Sequence, residues 1–306
     1  DILIFEQAQR RSIMITTDSV CDLPESLRKE FSLSVCPYYV CTEEGRFLDG
    51  AELRPDELLA HIAGGRKGYS HPPEVEDYER FFAEKLTEAQ NVIHITMARH
   101  VSDGYQNACE AAKSFENVTV LDSGHLSSSM GLVVLCAAYM AEHHAAKEEI
   151  LEAVKRMERF ISSAFIINNT HMMCQSGRIP KHIQILCDAL LLHPVLALKR
   201  SRMVVSRMEI GSFFHAAKKY IKRTLQNTGN IDRRILFITY SGMDEKRLRF
   251  IQSLVQQYCP FERVYLQKAS SAIASNCGPG SFGLLFMRRD DAAVPFFQTA
   301  SHDGTV

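Results

Sequence analysis

The sequence has little of what would mark several common classes of protein. Its charges nearly cancel: 35 basic and 36 acidic residues leave a formal net charge of −1 over 306 residues. That balance removes the sequence-independent attraction on which nucleic-acid binding relies, so no nucleic-acid partner is expected. No apolar stretch approaches the ~20 residues that a membrane-spanning helix needs. The longest strongly apolar run lies near residues 130–141, and stable membrane insertion is not expected. Residues 1–12 show no basic segment followed by an apolar one, so no secretory signal is expected there. The nine cysteines form no CxxC pair, which argues against a structural zinc site, and no metal ligands are expected. Scattered and odd in number, they suit a reducing cytosol better than a secreted disulfide framework, and a cytoplasmic protein is expected.

Catalytic signatures are missing too. There is no GxxxxGK[ST] loop and no GxGxxG loop, so ordinary nucleotide binding has no support. There is no HExxH. The nearest approach to a GxSxG elbow, Cys277 to Gly283, has the wrong glycine spacing.

What is there reads as a globular α/β chain. Apolar residues make up 46% and charged residues 23%, enough for a sizeable core. At roughly 100–200 residues per domain, the length suggests two domains. Short β-branched runs at 13–17, 34–41, 92–96 and 118–121 read as strands. Between them lie helical patterns at 55–62, after Pro72-Pro73, and at 103–114, 130–144 and 147–161. Asp22 reads as a helix N-cap with Pro24 in the first turn. This alternation implies βαβ units and a mainly parallel sheet. The second half reads as a mixed sheet with helices. Its strands are expected at 164–168, 235–240, 264–267 and 283–288, with a hairpin from 194–198 to 203–208. Its helices are expected at 181–192, 211–226 and 244–258. The expected layout is a polar lead-in (1–12), an N-terminal α/β domain (13–162), a C-terminal α/β domain (163–290) and a tail (291–306), with the ligand site between the domains.

Ligands of open parallel sheets bind beyond the carboxyl ends of the strands. Three such ends here are rich in hydroxyls. One carries Thr16, Thr17, Asp18 and Ser19; another Thr96 and Ser102-Asp103-Gly104; the third Asp122-Ser123 and Ser127-Ser128-Ser129. Together they read either as an anion site or as caps and turns. Arg178 offers a planar fork to an anion, or stands solvated at a helix start. Gly278-Pro279-Gly280 allows a close backbone approach to a ligand, or is a tight turn. Leu186, Leu190, Leu191 and Leu192, with Met130, Leu132, Val133 and Leu135, either line an apolar tunnel or are core.

Read together, these residues resemble the DegV family of bacterial fatty-acid-binding proteins. Thr17 to Pro24 resembles the opening TDSxxDLP motif, and Tyr69-Ser70-His71-Pro72 the TSQP segment. Val101 to Ala108 is similar to LSGTYQxA. Leu121-Asp122-Ser123 with Ser129-Met130-Gly131-Leu132 resembles DS…SMGLG, Ser176 to Ile179 the GGRI turn, and residues 278–280 the closing GPG. The likeness runs from about Ile13 to Met287.

The resemblance implies two α/β domains holding one long-chain fatty acid, with no other cofactor. Hydroxyls would bind the carboxylate, and the tail would be buried. The protein would be a carrier and not a catalyst. It would present the acid to a partner fatty-acid kinase that forms an acyl phosphate for phospholipid synthesis. Carried over by motif, Ser70 and Ser102 are the carboxylate contacts, with Tyr69 beside them and Arg178 at the mouth. The sequence departs from the motifs at Tyr69, where threonine is usual, at His71, and at Asp103-Gly104. Asn276 stands where a histidine is often found; it can donate a hydrogen bond but cannot titrate near neutral pH. Two other readings remain beside the carrier. One is a hydrolase or phosphotransferase using Ser102, Asp103 and His71. The other is a regulatory protein that senses lipid.

Overall fold

A computed structural model describes residues 11–289, apart from Ser176 and Arg178. The N-terminal half runs β1 (Arg11–Asp18), α1 (Glu25–Glu30), β2 (Ser34–Cys36), β3 (Tyr39–Thr42), β4 (Gly45–Leu48), α2 (Pro55–Ala63), β5 (Gly68–His71), α3 (Val75–Glu88), β6 (Ala89–Thr96), α4 (Gly104–Ala112), β7 (Val118–Asp122), α5 (Ser127–Glu142) and α6 (Lys147–Met157). The C-terminal half runs β8 (Ile161–Ile166), α7 (His171–Gln175), α8 (Lys181–Ala189), β9 (Leu192–Lys199), β10 (Arg202–Ile210), α9 (Phe213–Leu225), β11 (Ile231–Tyr240), α10 (Glu245–Tyr258), β12 (Arg263–Lys268), α11 (Ser271–Cys277) and β13 (Phe282–Arg288).

These strands make a parallel sheet, a mixed sheet and a small antiparallel one. The order β2-β1-β6-β7 is parallel throughout. The order β10-β9-β8-β13-β11-β12 is mixed, its one parallel pair being β11 with β12. The small sheet is β4-β3-β5. The architecture is therefore α/β with a parallel and a mixed sheet.

Alternation along the strands sorts side chains into layers. In β6, Ile93 and Ile95 join the central core, while Val92 faces α3 and α4 with Tyr78, Phe82 and Ala108. In β11, Phe237 faces the same central core, while Leu236 and Ile238 face α9 and α10. This follows from the two-residue period of a strand. Helix α5 lies between the two large sheets and contacts β1 on one side and β8, β11 and β13 on the other. Its sequence has no polar face to spare. All its residues are buried except Tyr139, Ala141 and Glu142, as expected of a helix that is apolar all round. Among the described residues, no helix is long and apolar enough to cross a membrane.

Several local expectations need correction. The strand expected over 34–41 is two strands in two different sheets. Pro37, which has no N–H for a ladder, separates β2 from β3. Asp22 does not cap α1. It adopts a left-handed conformation after a short 3₁₀ turn, and its carboxylate reaches across to Ser127 and Ser270. Strands β4 and β5 and helices α7 and α11 carry too little apolar pattern to be read from sequence. Pairing with β3 makes β5 a strand despite the glycines before it. The first strand begins at Arg11, inside the expected lead-in, and β8 begins at Ile161. The expected tail lies outside the described residues.

Candidate functional site

A cavity of about 600 Å³ opens between the two halves. Its apolar wall includes Val20, Met97 and Leu126 from the first half and Phe165, Leu196 and Met203 from the second. Its polar wall includes Ser70 and His71 from β5, Ser102 and Asp103 ahead of α4, and Asn276 from α11. Among the described residues, no lysine or arginine lines it.

The two hydroxyls singled out in the sequence are thus brought to one cavity. Asn276 Nδ2 donates to Ser70 Oγ at 3.1 Å and also to the Ala272 carbonyl at 2.9 Å. Asn276 therefore braces Ser70. Ser102 Oγ receives the Gly104 amide at 3.2 Å and pairs with Tyr38 Oη at 2.9 Å. Tyr69 stands on the cavity wall, 55% exposed. Asp103 also borders the cavity, exposed, with its side chain making no cap bond to α4. Arg178 lies outside the described residues.

Short α11 belongs to the second half of the chain yet packs on β5 and α2 of the first. Two buried carboxylates hold its start. Asp22 accepts the Ser270 amide at 2.9 Å, and Asp49 accepts the Ala272 amide at 3.2 Å. Ser127 donates to Asp22 at 2.5 Å and Ser19 to Asp49 at 2.8 Å. Burial pushes Asp22 up to about 7, against the pull of the Ser127 and Ser270 hydrogen bonds. Burial raises Asp49 as well.

Two of the three hydroxyl clusters turn out to be structural. Thr17 donates to the Ile95 carbonyl, and Thr16 shares a hydrogen bond with His94. Ser128 bridges to the Asp22 carbonyl and Thr239, and Ser129 to Ser163. These bonds tie the halves together through α5. A buried hydroxyl needs such partners. The supposed tunnel leucines are elsewhere too. Met130, Leu132, Val133 and Leu135 are core, while Leu186, Leu190 and Leu191 are exposed. Residues 278–280 form a tight turn into β13 with positive φ at both glycines, and they do not line the cavity. Among the described residues, no histidine hydrogen-bonds Ser102: His71 Nδ1 lies 2.7 Å from the Pro72 carbonyl, and the bonds of Ser102 go to Tyr38 and Gly104. Among the described residues, no group of His, Cys, Asp and Glu could hold a metal ion.

Sequence reasoning missed Tyr38. It is buried, at the break between β2 and β3, and its amide donates to Ser19 Oγ at 3.0 Å. The proline before it was the available signal, since a broken strand must send its next side chain somewhere other than the parallel sheet.

A family model described as "Uncharacterised protein, DegV family" matches residues 12–289. The chain belongs to the DegV family. A solved structure of a DegV family protein from Thermus thermophilus, described for its fatty-acid binding, superimposes with a TM-score of 0.80 at 27% identity, covering 91% of this chain and all of that one. DegV of Bacillus subtilis, described as a fatty acid binding protein, shares the fold at 18% identity and a TM-score of 0.77, over 91% of this chain and 100% of its own. A DegV domain-containing protein of Caldanaerobacter subterraneus is 24% identical over 277 residues, 90% of this chain and 98% of its own. The parallel and mixed sheets of this chain match the DegV fold of these solved structures.

Proposed function

We propose that this DegV-family chain binds one long-chain fatty acid in the cavity between its halves. The carrying observation is a largely apolar space of about 600 Å³ with two braced serine hydroxyls on its wall. At the ~30 Å³ that a water-sized group occupies in a liquid, this holds about 20 heavy atoms, the size of a C16–C18 acid. The Thermus thermophilus relative, described as binding fatty acid, supports the ligand class. In this reading Ser70 and Ser102 donate to the carboxylate, Asn276 orients Ser70, and Tyr69 covers the head group. Tail burial supplies most of the affinity, at roughly 0.8 kcal/mol per CH₂, and the hydroxyls set orientation.

The protein is a carrier in this proposal. It hands the acid to a partner fatty-acid kinase, which makes an acyl phosphate for phospholipid synthesis. We place its two domains at about 13–162 and 163–290, with β1 and β8 each starting two residues earlier than those bounds. Cys21, Cys36 and Cys259 are buried thiols outside any disulfide, which favours the reducing cytosol.

Native mass spectrometry of the purified protein, followed by fatty-acid analysis after denaturation, tests the ligand. The expected result is one fatty acid of about C16–C18 per chain. A ligand-free mass that stays unchanged on adding palmitate or oleate refutes the proposal. A fatty-acid kinase that phosphorylates the bound acid no faster than the free one removes the carrier role alone.

A further inference from the structure

Polar groups continue behind the cavity wall. Tyr38 borders the cavity, and its Oη pairs with Ser102 Oγ at 2.9 Å. The Gly104 amide donates to the same serine oxygen at 3.2 Å. Deeper in, Tyr78 donates to Asp18 Oδ1 at 2.8 Å, so its proton is committed away from the cavity. His94 Nε2 hydrogen-bonds the same oxygen at 3.2 Å. Of these two buried phenols, Tyr38 is therefore the one whose hydroxyl meets a cavity-lining serine.

We infer that Tyr38 is a positioning residue for the head group: it donates to Ser102, and Ser102 in turn donates its own proton to the acid group of the ligand. This rests on the fatty-acid reading and deepens it, because it makes the site selective for an acid over the alcohol of the same chain. A serine hydroxyl has one proton and two acceptor positions. With the phenol as donor, it and the Gly104 amide fill both acceptor positions from behind. The remaining proton points to whatever occupies the cavity. Such a donor favours an ionised acceptor, since charge-assisted hydrogen bonds are roughly twice as strong as neutral ones.

The phenol must keep its proton to act this way. Burial, and then the charge on Asp18, hold Tyr38 well above the usual phenol range. Position 104 must also stay small. A Cβ there would lie 2.5 Å from Tyr38 Oη, so only glycine leaves room for the phenol beside Ser102.

The test compares palmitate with hexadecanol. Dissociation constants for both are measured on the wild type, Tyr38→Phe, Ser102→Ala, the double variant and Gly104→Ala. Tyr38→Phe removes one oxygen and keeps the ring. It should weaken palmitate about tenfold, equivalent to about 1.4 kcal/mol, and hexadecanol less than about twofold. It should cost nothing further in the Ser102→Ala background, since coupled residues are not additive. Gly104→Ala, which pushes the phenol off Ser102 while leaving Tyr38 in place, should give the same selective loss. It carries the test if Tyr38→Phe fails to fold. Unchanged palmitate binding, an equal loss for both ligands, or full additivity in the double variant overturns the assignment of Tyr38. Wild-type protein that binds neither ligand overturns the lipid reading itself, before any substitution is made.

Discussion

Leu196→Trp offers a direct test of the cavity as a lipid-tail site. Leu196 lies on β9, paired with Phe165 of β8 and Val205 of β10, and lines the cavity. The substitution adds about six heavy atoms to a space that holds about 20 at ~30 Å³ each. The room left fits about 14, so the best ligand should shorten from C16–C18 to about C12. Each CH₂ that finds buried space contributes roughly 0.8 kcal/mol, or about fourfold in affinity. In the wild type, affinity should climb by that step up to about C16 and then level off. In Leu196→Trp the plateau should begin near C12. Palmitate then loses roughly four methylenes of burial, about 3 kcal/mol or 200-fold, while laurate changes little. Displacement of a fluorescent fatty acid by a C8–C20 series measures this, with a thermal melt to confirm folding. Equal losses for laurate and palmitate, or palmitate binding unchanged, would show that the tail does not occupy this space.

The clamp on α11 predicts a pH dependence. Asp22 has a folded-state value of about 7 against an ordinary 3.8, so the folded state binds more protons than the unfolded one between those values. Its stabilising contribution is full below about pH 4 and falls as pH rises through 7, by roughly 4 kcal/mol at 1.36 kcal/mol per unit. His125, pushed down to about 4 by burial, acts in the opposite sense, but it does so equally in a variant. Urea unfolding of the wild type and of Asp22→Asn between pH 4 and 8 should therefore show a difference that grows in favour of the variant as pH rises; parallel curves would refute the burial argument. A second prediction concerns Gly131 on α5, where a Cβ would lie 2.6 Å from Leu23 Cδ2 and 2.7 Å from the Cys21 carbonyl. Gly131→Ala should cost about 1–3 kcal/mol by overpacking, whereas Gly229→Ala, with nothing within 4 Å, should stay within about 0.5 kcal/mol. Equal effects in chemical denaturation would argue against α5 being wedged between two layers.

Much of this architecture is legible in the sequence because local patterning carries it. The apolar spacing of Val75, Tyr78, Phe82 and Leu86 implies the helix α3, and the β-branched run before Asp18 implies β1. Alternation of the two implies a parallel sheet with helices over it. The motifs around Ser70 and Ser102 imply that both are ligand contacts, and both line the cavity between the halves. Periodicity states that a face is buried. It does not state against what. Met130, Leu132 and Leu135 could equally have lined a tunnel, and only the placement of α5 between two sheets makes them core. Ser127, Ser128 and Ser129 look like an anion site in a linear reading, yet tertiary partners at Asp22, Thr239 and Ser163 consume them.

The same division applies to the site. The sequence determines that the hydroxyls exist, that no metal or nucleotide motif accompanies them, and that Asn276 stands near the closing turn. Tertiary structure alone decides that α11 swings back across the halves to put Asn276 on Ser70. It also decides that the break at Pro37 sends Tyr38 inward to Ser102. Both contacts join residues far apart in the chain, and direction in three dimensions depends on the packing of layers that no local pattern encodes.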